Sequence, residues 1–286
     1  MPKTKLGSIY YEVAGEENSI PITLFMGLGL NSRCWPQTFV DGLVKMGFKV
    51  VLIDNRDTGR SYFDDRYTPD VFDSYKSIFK FLLGINVLSV YTLSDMAEDA
   101  ILVLDELGIA KTNVLGISLG GMIAQVFASE HPERTLSLAS LSSAVGNRKT
   151  GVGSLSLIRR FAQGLKSGEG VYKLLAGSRF PVSDAEEEMY EELSCDRTPE
   201  AVRRQIFAML ASGNRGREYS KIAVPIFLFH GDEDPLLPLK AAVEMRDLNS
   251  NSELVVVPGM GHQLPEAVVP ELLAQLEKFY KTRGLM

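Results

Sequence analysis

Cysteine is scarce in this sequence, and its scarcity limits the kinds of site that the chain can form. Two cysteines, Cys34 and Cys195, occur in 286 residues, far apart and outside any CxxC-type pair. Such spacing predicts neither a disulfide framework nor a metal site. We therefore expect both cysteines to be packing residues, and we expect the protein to use no metal and no cofactor.

The sequence also lacks a block of basic residues and a long apolar run. A net charge of −6 and a pI near 5.3 give no electrostatic footprint for a nucleic-acid partner. No apolar stretch approaches the ~20 residues that span a bilayer. Polar Ser8 and charged Glu12 follow Lys3 and Lys5 too soon for a signal peptide. We expect a cytoplasmic protein without a membrane span, and the sequence leaves its oligomeric state open.

What the chain does have is the composition of an ordinary globular protein, with 45% hydrophobic and 23% charged residues. Its 286 residues suit one large domain with an insertion, because single cores usually stop growing near ~250–300 residues. Short apolar runs alternate with helical patterns, which predicts an α/β fold with a mostly parallel, doubly wound sheet.

The predicted strands cover residues 8–14, 22–26, 49–53, 113–117, 136–141, 226–229 and 254–257. The helical patterns between them begin near residues 36, 96, 119 and 239, and a final helix carries Leu272, Leu276 and Phe279. We expect the first two strands to pair as an edge hairpin.

The alternation stops near residue 145, and roughly seventy residues then look helical without apolar strand runs. Thr198 and Pro199 mark a helix start there, as N-cap and first helical residue. We predict a core domain of residues 1–145 and 218–286, interrupted by a helical lid of residues 146–217. Apolar residues in this lid indicate that it has a core of its own and that the substrate has an apolar body. They are Phe161, Leu165, Leu174, Leu175, Phe180, Ile206, Phe207 and Leu210.

The segment 116–121, Gly-Ile-Ser-Leu-Gly-Gly, lies directly between a predicted strand and a predicted helix. A sharp strand-to-helix turn pushes the Ser118 side chain outward, and small residues such as Gly116 and Gly120 are needed on either side of it. Free N–H groups at the start of the helix would face a developing oxyanion. The pattern indicates a nucleophile elbow; the alternative is a glycine-rich turn that only packs the helix on the strand.

A serine needs a base, and the chain offers three histidines. His131 ends the elbow helix, roughly 20 Å from Ser118 by helical rise, and is expected to be a surface cap. His230 ends a strand, where we expect a structural hydrogen bond. His262 follows the glycine-rich stretch 258–261, at the sheet edge where open α/β folds bind ligands. We predict that His262 is the general base.

The acid that orients the imidazole should follow a strand between the elbow and the histidine. Residues 232–234, Asp-Glu-Asp, place three carboxylates there, of which at least two are expected to be solvated turn residues. We choose Asp234 as the acid and keep Asp232 as the reserve.

The second oxyanion donor should come from the loop after the first long central strand. The segment 26–29, Met-Gly-Leu-Gly, occupies that loop, and its glycines would let the backbone approach a bound carbonyl. The candidate oxyanion donors are the backbone N–H groups of Leu28 and Leu119. A glycine-rich turn that binds no ligand is the alternative.

With these motifs in hand, the chain resembles the α/β-hydrolase superfamily over nearly its whole length. The resemblance rests on segment 116–121, on residues 230–238, on the Gly-Met-Gly before His262 and on segment 54–61, Asp-Asn-Arg-Asp-Thr-Gly-Arg-Ser. In the family the triad acid stands three residues after the glycine that ends the strand, which favours Asp234. Segment 54–61 is also similar to that of methylesterases that trim anthracycline-type polyketides.

Two features depart from the family pattern. Met26 stands where many members have histidine, which puts in question the hydrogen bonds that position the oxyanion donors. Segment 62–90 is longer than in relatives, and it either packs against the core or roofs the pocket. Its apolar residues at near-helical spacing are Phe72, Tyr75, Ile78, Phe79, Phe81 and Leu82.

Ser118 at the elbow argues against haloalkane dehalogenases and epoxide hydrolases, which need a carboxylate nucleophile. The resemblance therefore implies a serine hydrolase that cleaves a small apolar ester through an acyl-enzyme. The same triad also serves C–C bond hydrolases and perhydrolases, the cofactor-free haloperoxidases. The alternative of another class is a catalytically dead fold that binds a ligand.

Overall fold

A seven-stranded sheet forms the centre of the molecule, in the order β1-β3-β2-β4-β5-β6-β7. The computed structural model describes residues 7–67, 70–151, 153 and 170–286. The strands are β1 (Tyr11–Ala14), β2 (Ile20–Phe25), β3 (Phe48–Ile53), β4 (Thr112–Ile117), β5 (Thr135–Leu141), β6 (Ile226–Gly231) and β7 (Ser252–Val257). All neighbouring strands are parallel except β1, which runs antiparallel to β3.

Helices connect the parallel strands, as the sequence predicts. In the described residues they are α1 (Gln37–Lys45), α2 (Val71–Leu83), α3 (Leu93–Glu106), α4 (Leu119–Glu130), α5 (Val171–Leu175), α6 (Asp184–Leu193), α7 (Pro199–Ser212), α8 (Gly216–Tyr219), α9 (Lys240–Leu248) and α10 (Val269–Thr282). Short 3₁₀ turns cover Ser32–Cys34, Pro132–Arg134 and Glu266–Val268.

The predicted edge hairpin of the first two strands is wrong. β1 pairs with β3, with Val13 opposite Val51, and β3 separates it from β2. After β1 the chain turns at Gly15, which has a φ of +67°. The Asn18 side chain then donates to the carbonyls of Val44 and Phe48 and holds this turn over the beginning of β3. The alternation of residues predicts a strand but does not name its partner.

Two apolar layers cover the two faces of the sheet. One layer joins the sheet to α3, α4 and α9, and the other joins it to α1 and α10. Phe25 and Phe127 are fully buried in the first layer, and Phe48 and Tyr280 are fully buried in the second. Both faces of the parallel strands are therefore covered, which is why those strands read as continuous apolar runs.

The described residues between β5 and β6 form helices and no strand. Thr198 caps α7 by accepting from the Ala201 N–H, and Pro199 is the first residue of that helix, as predicted. Leu175 and Phe207 are buried, whereas the lid residues Phe161 and Leu165 lie outside the described residues. We predicted two packing cysteines: Cys34 is buried, but Cys195 is exposed just after α6, so that expectation is wrong for Cys195.

Segment 62–90 contains helix α2, which packs against α7. Phe79 is 63% exposed and Leu82 is 39% exposed, so neither is a core residue. The side chains of Phe72 and Tyr75 lie outside the described part of the chain. A separate observation concerns membranes: in the described residues, no helix combines the length and apolarity that a membrane span requires.

Candidate active site

Ser118 occupies the turn between β4 and α4 in a strained backbone conformation, with a φ of +56° and a ψ of −118°. A Cβ at Gly116 would lie 2.1 Å from the Gly120 carbonyl oxygen. A Cβ at Gly120 would lie 1.9 Å from the Phe25 carbonyl oxygen. The turn can therefore form only with glycine at both positions, and it presents the half-exposed Ser118 side chain at the end of the sheet.

The structure brings three of the predicted site residues into one chain of hydrogen bonds. His262 Nε2 lies 2.9 Å from Ser118 Oγ, and His262 Nδ1 lies 2.8 Å from Asp234 Oδ2. These residues follow β4, β6 and β7 at the carboxyl ends of the parallel strands. Because Asp234 is an acceptor when ionised, Nδ1 carries the proton and Nε2 is free to accept one from the serine hydroxyl.

Asp234 and Asp232 lie in very different surroundings. Asp234 is buried, and its Oδ1 accepts from the N–H groups of Leu236 and Leu237 at 2.9 and 2.8 Å. Asp232 is exposed, and its Oδ1 accepts from the Gly259 N–H at 2.7 Å. Only Asp234 contacts the imidazole, while Asp232 ties its own turn to the loop that precedes His262.

The other two histidines, His131 and His230, bind groups other than Ser118. His131 ends α4, and its Nε2 lies 3.2 Å from Glu98 Oε1. His230 is buried, and its Nε2 donates to the Leu237 carbonyl at 2.7 Å. Burial lowers the pKa of His230, although the nearby Asp234 carboxylate acts in the opposite direction. Neutral His230 therefore holds the turn that carries Asp234.

The two predicted oxyanion donors belong to segments that adjoin Ser118. Leu119 is the first residue of α4, where a backbone N–H has no partner within the helix. Leu28 lies in the loop after β2, and a Cβ on the adjoining Gly27 would be 3.6 Å from Ser118 Cβ. Within the described part of the chain, neither N–H donates to a protein acceptor.

Met26 stands where many family members have histidine, and its backbone is held by a different side chain. The Asn55 side chain donates to the Met26 carbonyl at 3.0 Å, and both residues are buried. A core residue thus holds the beginning of this loop without the family histidine. Sequence reasoning missed Asn55, although it lies in segment 54–61, the segment whose likeness to methylesterases was visible.

Segment 54–61 supports the loops around the site through buried polar contacts. Asp54 accepts from the Ser32 N–H at 2.7 Å, and the Ser61 hydroxyl donates to the Asp54 carbonyl at 2.6 Å. Arg56 forms two hydrogen bonds with Asp99, at 2.7 and 2.8 Å. Burial raises the pKa of Asp99, and the Arg56 guanidinium opposes that change.

Residues 175–179, which include the end of α5, contact the loops that carry the imidazole and the acid. The His262 N–H donates to the Leu175 carbonyl at 2.8 Å, and the Arg179 N–H donates to the Gly259 carbonyl at 3.0 Å. Ser178 donates to the Glu233 carboxylate through its N–H and its hydroxyl, and these bonds lower the pKa of Glu233. This part of the insertion therefore fixes the backbone on either side of the His262–Asp234 contact.

A cavity of about 320 Å³ lies away from these residues, beside α3, α4 and α8. Its lining contains none of the predicted site residues. The residues that line it are Thr92, Ser94, Gln125, Val126, Ser129, Glu130, Ser212, Asn214, Arg215, Glu218 and Tyr219.

Comparison with known proteins agrees with this architecture. A family model described as "alpha/beta hydrolase fold" matches residues 20–266. Rhodomycin D methylesterase DauP of Streptomyces sp. (strain C5) is 27% identical over 94% of this chain and 93% of its own. A 2-hydroxy-6-oxononadienedioate/2-hydroxy-6-oxononatrienedioate hydrolase of Pseudomonas sp. is 25% identical over 90% of this chain and 86% of its own.

A solved structure is similar as well. The bromoperoxidase from Bacillus anthracis superposes with a TM-score of 0.78 at 19% identity, and the match covers 96% of each chain. At that identity the likeness shows the fold alone. The resemblance to methylesterases, first visible in segment 54–61, is confirmed as a similarity over most of the chain.

Proposed function

Because the chain belongs to the α/β-hydrolase fold family, we propose that it is a serine hydrolase that cleaves carboxylic esters through an acyl-enzyme on Ser118. The observation that carries this proposal is the chain of hydrogen bonds from Ser118 Oγ through His262 to the buried Asp234. A serine hydroxyl becomes a useful nucleophile when a neutral imidazole accepts its proton and a carboxylate stabilises the charged imidazole.

In the proposed reaction, His262 Nε2 takes the proton from Ser118 Oγ as that oxygen attacks the ester carbonyl. The carbonyl oxygen becomes an oxyanion, and the N–H groups of Leu28 and Leu119 donate to it. His262 then gives its proton to the leaving alcohol, and Ser118 remains acylated. Water attacks the acyl-enzyme by the same proton transfers and releases the acid. Asp234 holds Nδ1 protonated throughout and stabilises the imidazolium.

For the substrate, we propose an apolar ester and, more narrowly, the methyl ester of a bulky acid. Support comes from the rhodomycin D methylesterase, which is similar over 94% of this chain. A second support is the apolar cluster of Val171, Tyr172, Leu175 and Val182, against which Leu30 and Leu236 pack. That cluster joins the insertion to the loops that carry Leu28 and Asp234.

The test is a panel of p-nitrophenyl esters of graded acyl length together with a bulky aromatic methyl ester. We expect the wild type to hydrolyse esters and Ser118→Ala to lose at least about a thousandfold in kcat, because nucleophile and base act as one unit. Failure of the wild type on every ester, or turnover by Ser118→Ala near the wild-type rate, would contradict the proposal.

A second candidate function is C–C bond hydrolysis with the same three residues. It is favoured by the 25% identity to the 2-hydroxy-6-oxononadienedioate hydrolase over 90% of this chain. A 2-hydroxy-6-oxo-dienoate substrate discriminates the two functions in a single assay. If its kcat/KM exceeds that of every ester in the panel, C–C hydrolysis replaces ester hydrolysis as the proposed reaction.

A further inference from the structure

Gln205 on α7 is fully buried, and both of its side-chain polar atoms bond to backbone near the site. Its Oε1 accepts from the Gly29 N–H at 2.8 Å, and its Nε2 donates to the Arg56 carbonyl at 2.9 Å. The orientation of the amide is fixed, because the Gly29 N–H can only donate and the Arg56 carbonyl can only accept. A residue of the helical insertion thus links two loops of the core domain.

These bonds complete the attachment of the loop that carries the proposed oxyanion donor. Asn55 holds the Met26 carbonyl at the beginning of the loop, and Gln205 holds the Gly29 N–H at its end. The Leu28 N–H lies between the two attachment points. Asn55 and Arg56 are adjacent in the chain. Both ends of the loop are therefore fixed to the same short segment, one end by Asn55 itself and the other through Gln205 and the Arg56 carbonyl.

The same helix also limits the loop sterically. Gly29 has a φ of +67°, and a Cβ there would lie 2.9 Å from Arg197 Cδ and 2.9 Å from Val202 Cγ2. The loop therefore approaches the beginning of α7 more closely than a side chain would allow. The contacts and the hydrogen bond together restrict the movement of the peptide between Leu28 and Gly29.

We propose that Gln205 is a positioning residue that aims the Leu28 N–H at the developing oxyanion, so that the insertion contributes to catalysis through α7. The proposal rests on the proposed function, in which Leu28 donates to that oxygen. Preorganised donors stabilise the transition state only when they already point at the place where charge develops. A loop that loses its attachment at Gly29 keeps the triad but misaligns this donor.

The test begins with Gln205→Met, which keeps the length of the side chain and removes the acceptor. We expect kcat for a p-nitrophenyl ester to fall about 10- to 100-fold, because small misplacements of catalytic groups have effects of this size. KM should stay within about threefold, and the affinity for a boronic acid that forms a tetrahedral adduct with Ser118 should fall with kcat. Unchanged kcat, or unchanged boronate affinity beside a reduced kcat, would overturn the proposal.

Two further variants separate positioning from a general loss of stability. Gln205→Glu keeps an acceptor for the Gly29 N–H, and its carboxyl, which burial favours in the protonated form, can still donate to the Arg56 carbonyl, so kcat should recover to within about fivefold of the wild type. Asn249→Ala removes another buried side-chain amide, which donates to the Tyr219 and Ile222 carbonyls before β7, and should lower Tm while kcat stays within about threefold. If Gln205→Glu is as slow as Gln205→Met, or if Asn249→Ala loses as much kcat, the proposal is wrong.

Failure of the proposed function would look different. In that case the wild type itself would hydrolyse no ester and bind no boronate. If the wild type is active and the Gln205 variants have the same kcat and boronate affinity as the wild type, the serine mechanism stands and the role of Gln205 is refuted.

Discussion

Asp234 is held in place by more contacts than its role as an acceptor for one imidazole requires. One carboxylate oxygen accepts from the N–H groups of Leu236 and Leu237, and the other faces His262 Nδ1. Its side chain is buried together with that of His230. The carboxylate therefore cannot swing away from the imidazole without leaving two backbone donors unsatisfied.

Substitution of the two aspartates should have unequal effects. Asp234→Asn keeps the shape but supports the wrong tautomer and withdraws the charge, so we expect kcat to fall at least a hundredfold, about 3 kcal/mol. Asp232→Asn keeps an acceptor for the Gly259 N–H and should stay within about tenfold. Steady-state kinetics with a Tm for each variant is the measurement. A crippled Asp232→Asn beside an active Asp234→Asn would reverse the assignment.

His230 gives the fold a dependence on acidic pH. Burial lowers its pKa in the folded state, so below the ordinary imidazole pKa of about 6.5 the unfolded chain binds a proton that the folded chain does not. The free energy of unfolding should fall as the pH drops from 7.5 to 5.5. In His230→Gln, whose amide can still donate to the Leu237 carbonyl, the fall should be smaller. Equal slopes in urea unfolding of the two proteins would remove His230 from this account.

At the level of elements, the turn from β4 to α4 depends on the absence of side chains at two glycines. Gly120→Ala places a Cβ 1.9 Å from the Phe25 carbonyl oxygen, so strand and helix must separate. We expect it to destabilise the protein by about 2 kcal/mol or more and to displace Ser118. The control is Gly27→Ala, whose Cβ meets nothing closer than 3.6 Å. Urea unfolding checks both, and equal losses of stability would contradict the steric argument.

The sequence predicted the elements whose signals are local. Ser118, Asp234 and His262 each follow a short apolar run, and the order of strands and helices placed them at one edge of the sheet. The pairing of β1 with β3 was missed, because the alternation of residues in a strand does not indicate which strand it pairs with. Asn55 and Gln205 were missed for a related reason: each acts on a loop distant in sequence, and a buried amide has no periodic pattern.

At the scale of the whole molecule, the insertion is joined to the core by buried charge as well as by apolar packing. Arg204 on α7 forms two hydrogen bonds with Asp57, at 2.9 and 2.6 Å, and the Tyr91 hydroxyl donates to the same carboxylate at 2.6 Å. With the contacts of residues 175–179, this pair ties the insertion to the loops of the site. We propose that residues 146–217 are a lid whose described part is fixed to the core.

Breaking this pair should therefore destabilise the protein as a whole. Asp57→Asn removes the charge but keeps a side chain that tolerates the φ of +66° at this position. It removes the charged carboxylate that accepts two hydrogen bonds from the buried Arg204 guanidinium, and we expect a loss of about 3 kcal/mol in one cooperative transition. Glu200→Gln, which breaks the exposed pair with Arg203, should leave the midpoint unchanged. Equal midpoints for wild type and Asp57→Asn would refute the buried link.

The central claim is that Ser118 is a nucleophile activated by its contact with His262. Incubation with a fluorophosphonate, followed by intact-mass and peptide analysis, tests that claim directly, because the reagent phosphonylates an activated serine with loss of fluoride and requires no knowledge of the natural substrate. The account predicts one adduct per wild-type chain, on the peptide that contains Ser118, and none on Ser118→Ala. An unlabelled wild type, or an equal rate of labelling in Ser118→Ala, would contradict it.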